Sequence, residues 1–407
     1  MRERESMLTR RRVLVLGAAG LIAVPGIRLA LATAPTENRV VVVVLRGALD
    51  GLAAVPPYAD KDYASQRGSL AFAAPGEEKG CLDLDGHFGL NPALGDLLPL
   101  WQQGELAVIH AAATSYRAHS HFDGQDMLET GGATHALADG WLNRALGAMP
   151  YAGSRALGLS VGPATPLILR GAAKTGSWEP EHIIPPASQD FLDRLADLYK
   201  DDALFSQALG EGLQAQAMSE EVMGKSAGSA RNLNGAQYLT AAAEGVGRLM
   251  ADPRGPRVAV LEATGWDTHQ GQGLEKGRLA LVLKGLGQSL VKLKAALGPA
   301  WQRTVLVTVT EFGRTVAVNG TGGTDHGTAT VAFLLGGAVA GKRVIADWPG
   351  LAQEKLYQGR DLTPTTDLRA VLKTLCQRQL EIDEMTVENR IFPGSRQAPA
   401  MGDLLKA

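Results

Sequence analysis

Val40-Val41-Val42-Val43-Val44-Leu45 runs without a break into Arg46-Gly47-Ala48-Leu49-Asp50. Consecutive valines closed by a leucine make a strand that is apolar on both faces, the mark of a strand buried inside a parallel sheet. The carboxylate that follows lies just past the strand's carboxyl end. Two other apolar runs end the same way. Residues 258–261 lead to Gly265-Trp266-Asp267-Thr268-His269. Residues 304–310 lead to Glu311-Phe312-Gly313-Arg314, with Gly323-Thr324-Asp325-His326-Gly327 close behind. In an open α/β sheet, ligands bind beyond the carboxyl ends of the strands. Carboxylates and imidazoles gathered there from distant parts of a chain suit a divalent cation. A metal-dependent hydrolase is therefore the leading expectation.

The 407 residues are 45% hydrophobic and 20% charged, which is ordinary globular material. Forty-nine glycines fit a fold with many tight strand-to-helix turns. Residues 1–32 read as an export signal. Arg10-Arg11-Arg12 precedes the apolar run 13–24, and paired arginines in that place mark the twin-arginine route. Ala30-Leu31-Ala32 and Ala32-Thr33-Ala34 are small-x-small sites, and Pro35 favours cleavage after Ala32. The expected location is periplasmic or secreted. The apolar run is shorter than the ~20 residues a span needs and is broken by Pro25-Gly26, so no stable membrane span is expected in the mature chain. The signal carries six arginines against two glutamates, so its removal takes the formal charge from −2 to −6. Nucleic acid is excluded as the main partner, because phosphate-backbone binding wants a basic surface. The two cysteines, Cys81 and Cys376, form no CxxC pair and no cysteine zinc site. In an oxidising compartment they could pair, but Cys376 lies on a helical face where a buried free thiol is the commoner outcome.

Strands are expected at 40–45, 106–110, 156–161, 167–169, 257–261, 304–310 and 330–335. Helices are expected at 94–103, 123–129, 137–149, 277–297 and 367–379, the last behind Pro364-Thr365-Thr366. From 188 to 250 helical patterns dominate and read as a helical insert or cap, with a loop at 219–234. Strands alternating with helices argue for a doubly wound α/β sandwich.

Asp50 is a metal ligand or the N-cap of a helix that starts at Gly51. Tyr116-Arg117-Ala118-His119-Ser120-His121-Phe122-Asp123 packs a hydroxyl, two imidazoles, a guanidinium and a carboxylate into eight residues, with His110 upstream. Ser120 is the candidate nucleophile, activated by a base or a metal, or else it is a helix N-cap. Asp267 and His269 sit two apart in an extended segment and face the same side, so one ion can take both. Glu311, if buried, must pair with Arg314 or a cation. Asp325 and His326 lie in a glycine-rich loop able to wrap an ion. The candidate ligands are thus Asp50, Asp267, His269, Glu311, Asp325 and His326, for one or two divalent ions (Zn, Mg, Mn or Ca). Ser120, His121 and Arg46 are the candidate catalytic groups. Arg46, Arg117 or Arg314 would meet the anionic charge of a small ester or polymer substrate.

Together, Arg46-Gly47-Ala48-Leu49-Asp50-Gly51-Leu52, Ser120-His121-Phe122, Gly265-Trp266-Asp267-Thr268-His269, Thr310-Glu311-Phe312-Gly313-Arg314, Gly323-Thr324-Asp325-His326-Gly327 and Pro364-Thr365-Thr366-Asp367-Leu368-Arg369 resemble the DUF1501 family. The likeness runs from about residue 40 to 393. It implies an alkaline phosphatase-like doubly wound sandwich with a helical insert, twin-arginine export and kinship with the alkaline phosphatase and sulfatase superfamily. It also implies a strand-end Asp (Asp50), a hydroxyl nucleophile (Ser120), an Asp/His pair (Asp267, His269), an acidic strand end (Glu311) and a late His (His326). The chain departs from the superfamily pattern in four ways, one being His119 where an Arg is more usual beside Ser120-His121-Phe122. It also has Asp-x-His where Asp-x-x-x-His is usual, Glu311-Phe312 where an Asp-His doublet is expected, and no C/S-x-P-x-R sulfatase signature. The rival expectations are a non-catalytic periplasmic binding or assembly protein with a degenerate site, and a sulfatase-like or phosphoglycerate-mutase-like transferase.

Overall fold

The computed structural model describes residues 36–132, 137–150, 157–162, 164–180, 187–223, 233 and 235–406. The expected export signal, 1–32, lies outside the described residues, as do Ala156 and most of the loop expected at 219–234. In chain order the strands are β1 (Arg39–Arg46), β2 (Leu82–Asp83), β3 (Gly89–Leu90), β4 (Leu106–Ala113), β5 (Gly158–Val161), β6 (Thr175–Trp178), β7 (Val258–Thr264), β8 (Thr304–Val309), β9 (Thr330–Leu335), β10 (Arg343–Ile345) and β11 (Thr366–Asp367). β2 and β3 pair only with each other. The others form one sheet in the order β10-β4-β9-β8-β1-β7-β5-β6, with β11 also on β4.

β1 lies at the centre of this sheet, parallel to β7 on one side and to β8 on the other. Its side chains alternate between two cores. Val41, Val43 and Leu45 join the leucines of helix Arg278–Leu297, while Val40, Val42 and Val44 join Trp141, Leu142 and the helix Leu368–Thr374. Both faces are covered, so the molecule is the α/β sandwich that the valine run implies.

One strand breaks the parallel pattern. β9 runs antiparallel to both β4 and β8. The chain therefore turns directly from β8 into β9 with no crossover helix. Residues 310–329 start and finish at one edge, where β1, β7 and β4 also end. This keeps Glu311, Arg314, Asp325 and His326 on that same edge.

Several local expectations need correction. Residues 167–169 form a single 3₁₀ turn. The helix expected at 94–103 divides into a 3₁₀ stretch, Pro92–Leu97, and a short α-helix, Leu98–Gln102, because Pro99 lacks the N–H to continue one ladder. Helix Trp141–Ala148 starts behind Gly140, and Asp139 instead pairs with Arg144 at 2.7 Å. Residues 219–223 belong to helix Ala203–Met223. Helix Gly235–Ala251 buries Ala242, Val246 and Leu249 in the core shared with Arg278–Leu297, so it belongs to the layer on the sheet. Cys81 and Cys376 are both buried and unpaired.

Asp50 follows β1 and caps helix Gly51–Ala54, accepting from the Ala53 N–H at 3.1 Å. Its other oxygen accepts from the guanidinium of Arg67, and both residues are almost wholly out of solvent. Removing one member of a buried pair leaves the other charge stranded, at a cost of about 3–5 kcal/mol. Arg67→Met is expected to lower the unfolding free energy by about that amount. A denaturant midpoint equal to the wild type's would contradict the pairing.

Candidate metal centre

The ends of β1, β7 and β8 come into contact at Gly47. Its φ is +121°, a conformation L side chains rarely adopt, and a Cβ there would stand 2.8 Å from the Asp267 nitrogen. The Gly47 N–H donates to Glu311 Oε1 at 2.8 Å. A second close approach occurs where loop 265–273 meets loop 320–327. A Cβ on Gly323 would lie 2.3 Å from the carbonyl carbon of His269. Main-chain bonds join these loops, Gly271 N–H to Thr321 O at 3.1 Å and Gln272 N–H to Gly322 O at 3.0 Å.

His121, Asp267 and His326 each direct one ligand atom into a common space, all within 4.8 Å of one another. His269 joins them, its Nε2 lying 3.0 Å from Asp267 Oδ1 and 2.9 Å from His326 Nε2. The far side of every imidazole is already engaged. His121 Nδ1 faces Glu311 Oε1 at 2.8 Å, His269 Nδ1 faces Asp325 Oδ1 at 3.1 Å, and His326 Nδ1 faces the His119 carbonyl at 2.9 Å. Those oxygens only accept, so each Nδ1 carries a proton, and a ring in its neutral form presents the Nε2 lone pair to the common space. His121 Nε2 is buried and has no hydrogen-bond partner. The rings are fixed by packing: Phe312 stacks on His121 with centroids 5.1 Å apart and lies 5.2 Å from His326. Three lone pairs and a carboxylate facing one another repel unless a proton or a cation sits between them.

The structure sorts the expected ligands into two shells. Asp267, His269 and His326 line the space, and His121, expected as a catalytic group, lines it with them. Glu311 does not. It is fully buried, and its Oε1 takes the His121 and Gly47 N–H groups and Gln125 Nε2 at 3.2 Å. Asp325 likewise orients His269 and accepts from Asn319 Nδ2 at 3.0 Å. Imidazoles held by carboxylates are the usual support of a metal site. Asp50 stands farther back, engaged by the Ala53 N–H at Oδ1 and by Arg67 and Gln272 Nε2, the latter at 2.7 Å, at Oδ2. For Asp50 the cap reading is the one the geometry supports.

The arginines are also engaged. Arg46 bonds Glu262, Glu129 and Gln125, at 2.9 Å for Glu129 and 2.8 Å for Gln125. Arg314 is buried and donates to Asp267 Oδ1 at 2.6 Å. Arg117 bonds the Thr114 and Tyr116 carbonyls. Ser120 occupies the N-cap position of helix His121–Thr130, but its hydroxyl makes no capping bond. His110 is a core residue, bonded through Nε2 to the Val55 carbonyl at 2.9 Å and driven down to a pKa of about 4 by burial. A cavity of about 560 Å³ opens beside the end of β7, lined by Glu262, Thr264, Trp266, Tyr238 and Val282.

The supporting layer was not legible beforehand. Gln125, Gln272 and Asn319 are amides in loops or on helices, and only the folded contacts distinguish them from any other polar residue.

Among known proteins, a family model described as "Protein of unknown function (DUF1501)" matches residues 106–391. No curated protein matches. Similar solved structures include the C-terminal periplasmic domain of EcEptC from Escherichia coli in complex with Zn. That match has 10% identity, covers 76% of this chain and 76% of that one, and has a TM-score of 0.31. The lipoteichoic acid synthase LtaP from Listeria monocytogenes matches at 10% identity, 79% and 71% coverage and TM-score 0.32. The phosphonate monoester hydrolase of Agrobacterium radiobacter matches at 10% identity, 85% and 74% coverage and TM-score 0.36. At such scores these likenesses decide nothing about the site.

The Glu311 hydrogen bond raises the His121 pKa above the ordinary imidazole value, against the opposing effect of burial. Burial, with His121 beside it, lowers that of His326. Burial acts to raise the Asp267 pKa, but the Arg314 hydrogen bond and charge hold it below the usual carboxylate range. A raised folded-state pKa stabilises the fold below the unfolded imidazole value, and that contribution is lost as pH rises through the folded one. In metal-free protein, NMR titration of His121 is expected to give a midpoint above the ordinary imidazole value, and Glu311→Gln is expected to bring it down. A midpoint insensitive to that substitution would contradict the pairing.

Proposed function

This chain belongs to the DUF1501 family, and we propose that it is an exported metal-dependent hydrolase of phosphate or related esters, working with one divalent ion. The observation that carries this reading is the convergence of three imidazole Nε2 atoms and the Asp267 carboxylate, with the buried His121 Nε2 making no hydrogen bond and standing 3.6 Å from Asp267 Oδ2. Imidazole favours zinc and its transition-metal neighbours over magnesium or calcium, so a zinc-type ion is preferred. A single ion is favoured because two of the carboxylates expected among the ligands, on Asp50 and Glu311, already accept from buried donors within the protein.

Such an ion would acidify a bound hydroxyl or water and offset charge developing on an ester oxygen. His121, His269, His326 and Asp267 would hold it. Ser120 is the proposed nucleophile. It directly precedes His121, its hydroxyl caps nothing, and it heads a ten-residue helix whose first N–H groups favour an anion. The cavity beside Trp266 has the size of a small-molecule site and would take the organic part of an ester. Passage by the twin-arginine route fits a centre loaded before export. No described helix is long and apolar enough to cross a membrane.

One observation favours a second reading. Each arginine expected to meet a substrate anion is already bound within the protein, which suits a non-catalytic binding or assembly protein. Metal analysis with kinetics separates the two. For the hydrolase, the purified chain carries about one equivalent of zinc or accepts it, and turns over aryl phosphates. Ser120→Ala then keeps the metal and loses at least about a hundredfold in kcat. Metal-loaded wild type without turnover on a panel of phosphate, phosphonate and sulfate esters would favour the binder. A chain that takes up no divalent metal would contradict both the ion and the hydrolase built on it.

A further inference from the structure

Behind the cluster runs a buried polar chain that no surface property requires. Arg67 donates to Asp50 Oδ2, and Gln272 Nε2 donates to the same oxygen at 2.7 Å. Gln272 Oε1 accepts from the Thr324 hydroxyl at 2.8 Å and from the Thr268 hydroxyl at 2.9 Å. Thr324 Oγ1 in turn accepts from Arg314 Nε at 3.2 Å, and the Thr324 carbonyl accepts from Arg314 Nη2. Arg314 Nη1 ends the chain on Asp267 Oδ1. Asp50, Arg67, Gln272, Thr268, Thr324 and Arg314 are all buried.

The direction of every bond in this chain is fixed. An ionised Asp50 only accepts, so the amide nitrogen of Gln272 must face it and the amide oxygen must face the two hydroxyls. Thr324 must then donate to Gln272, which leaves its lone pairs for Arg314. Thr268 lies between Asp267 and His269, and Thr324 lies two residues before His326. Gln272 thus bonds, with one atom, to both loops that carry ligands, and with the other to the ion pair at the end of β1.

We propose that Gln272 is the positioning residue of the cation site: its amide locks the two ligand loops in register and, through Thr324 and Arg314, sets the orientation of the Asp267 carboxylate. Polar groups one layer behind the ligands typically change metal affinity by about 10–100-fold when removed. The role presupposes that the cluster holds an ion, as proposed above.

Thr324→Val removes the hydroxyl at constant shape, and Thr324→Ser restores it. Gln272→Leu tests the amide directly but takes a donor from the buried Asp50, so the Thr324 pair stands even if that variant fails to fold. The readouts are cobalt(II) affinity by chelator competition, the visible ligand-field spectrum of the bound cobalt, and the thermal midpoint of the metal-free chain. Thr324→Val is expected to weaken cobalt binding by about 10–100-fold and to shift the spectrum, with Thr324→Ser close to wild type in both. A change in the metal-free midpoint alone, with affinity and spectrum intact, would reduce the chain to a purely structural role and overturn the proposal. So would a Thr324→Ser variant as impaired as Thr324→Val. A wild-type chain that binds no cobalt would remove the cation site itself, a separate failure visible before any variant is made.

Discussion

The close meeting of three imidazoles and one carboxylate governs the strand-end rim. Each ring turns its Nδ1 to an outward acceptor, so in the neutral form the Nε2 atoms and the Asp267 carboxylate share one space, with Arg314 donating to one carboxylate oxygen. A charged carboxylate is expensive to hold among lone pairs, and a cation resolves the conflict where a hydrophobic or neutral ligand cannot. Without a cation, the raised proton affinity of His121 supplies a partial substitute. Proton and metal then compete for one lone pair, so metal binding should release a proton.

The rest of the fold serves to hold that conflict in place. Parallel β7, β1 and β8 deliver Asp267, Gly47 and Glu311 to one edge. The glycine conformation at 47 lets the segments touch, and its N–H helps to anchor the carboxylate that orients His121. Antiparallel β9 spares the chain a crossover, so the loop bearing His326 never leaves the rim. The His119 carbonyl, presented from a residue with φ +62°, reaches back to His326 and ties the segment after β4 to the same centre. Six buried residues form a hydrogen-bonded chain behind the cluster, from Arg67 to Asp267.

The valine run made the central strand and the two-faced sheet legible, because burial on both sides demands an unbroken apolar sequence. The Asp-Thr-His segment and the late Asp-His doublet were legible as polar groups bound for one rim, because each follows an apolar strand that the sheet fixes in place. What could not be read was which carboxylate lines the imidazole cluster and which aims an imidazole from behind. Asp50, Glu311 and Asp325 have the same chemistry as Asp267, and only distance separates them. The antiparallel course of β9 was equally hidden, since an apolar six-residue strand carries no sign of its direction. Arg46 and Arg314 read as substrate contacts because a sequence does not reveal that Glu129, Glu262 and Asp267 stand beside them.

X-ray absorption on zinc-reconstituted protein tests the central claim most directly. A mononuclear ion with about four nitrogen or oxygen ligands at ~2.0–2.1 Å, and the outer-shell scattering of three imidazoles, is the predicted result. Scattering from a second metal at ~3.5–4 Å, or a first shell of oxygen alone without imidazole features, would contradict it.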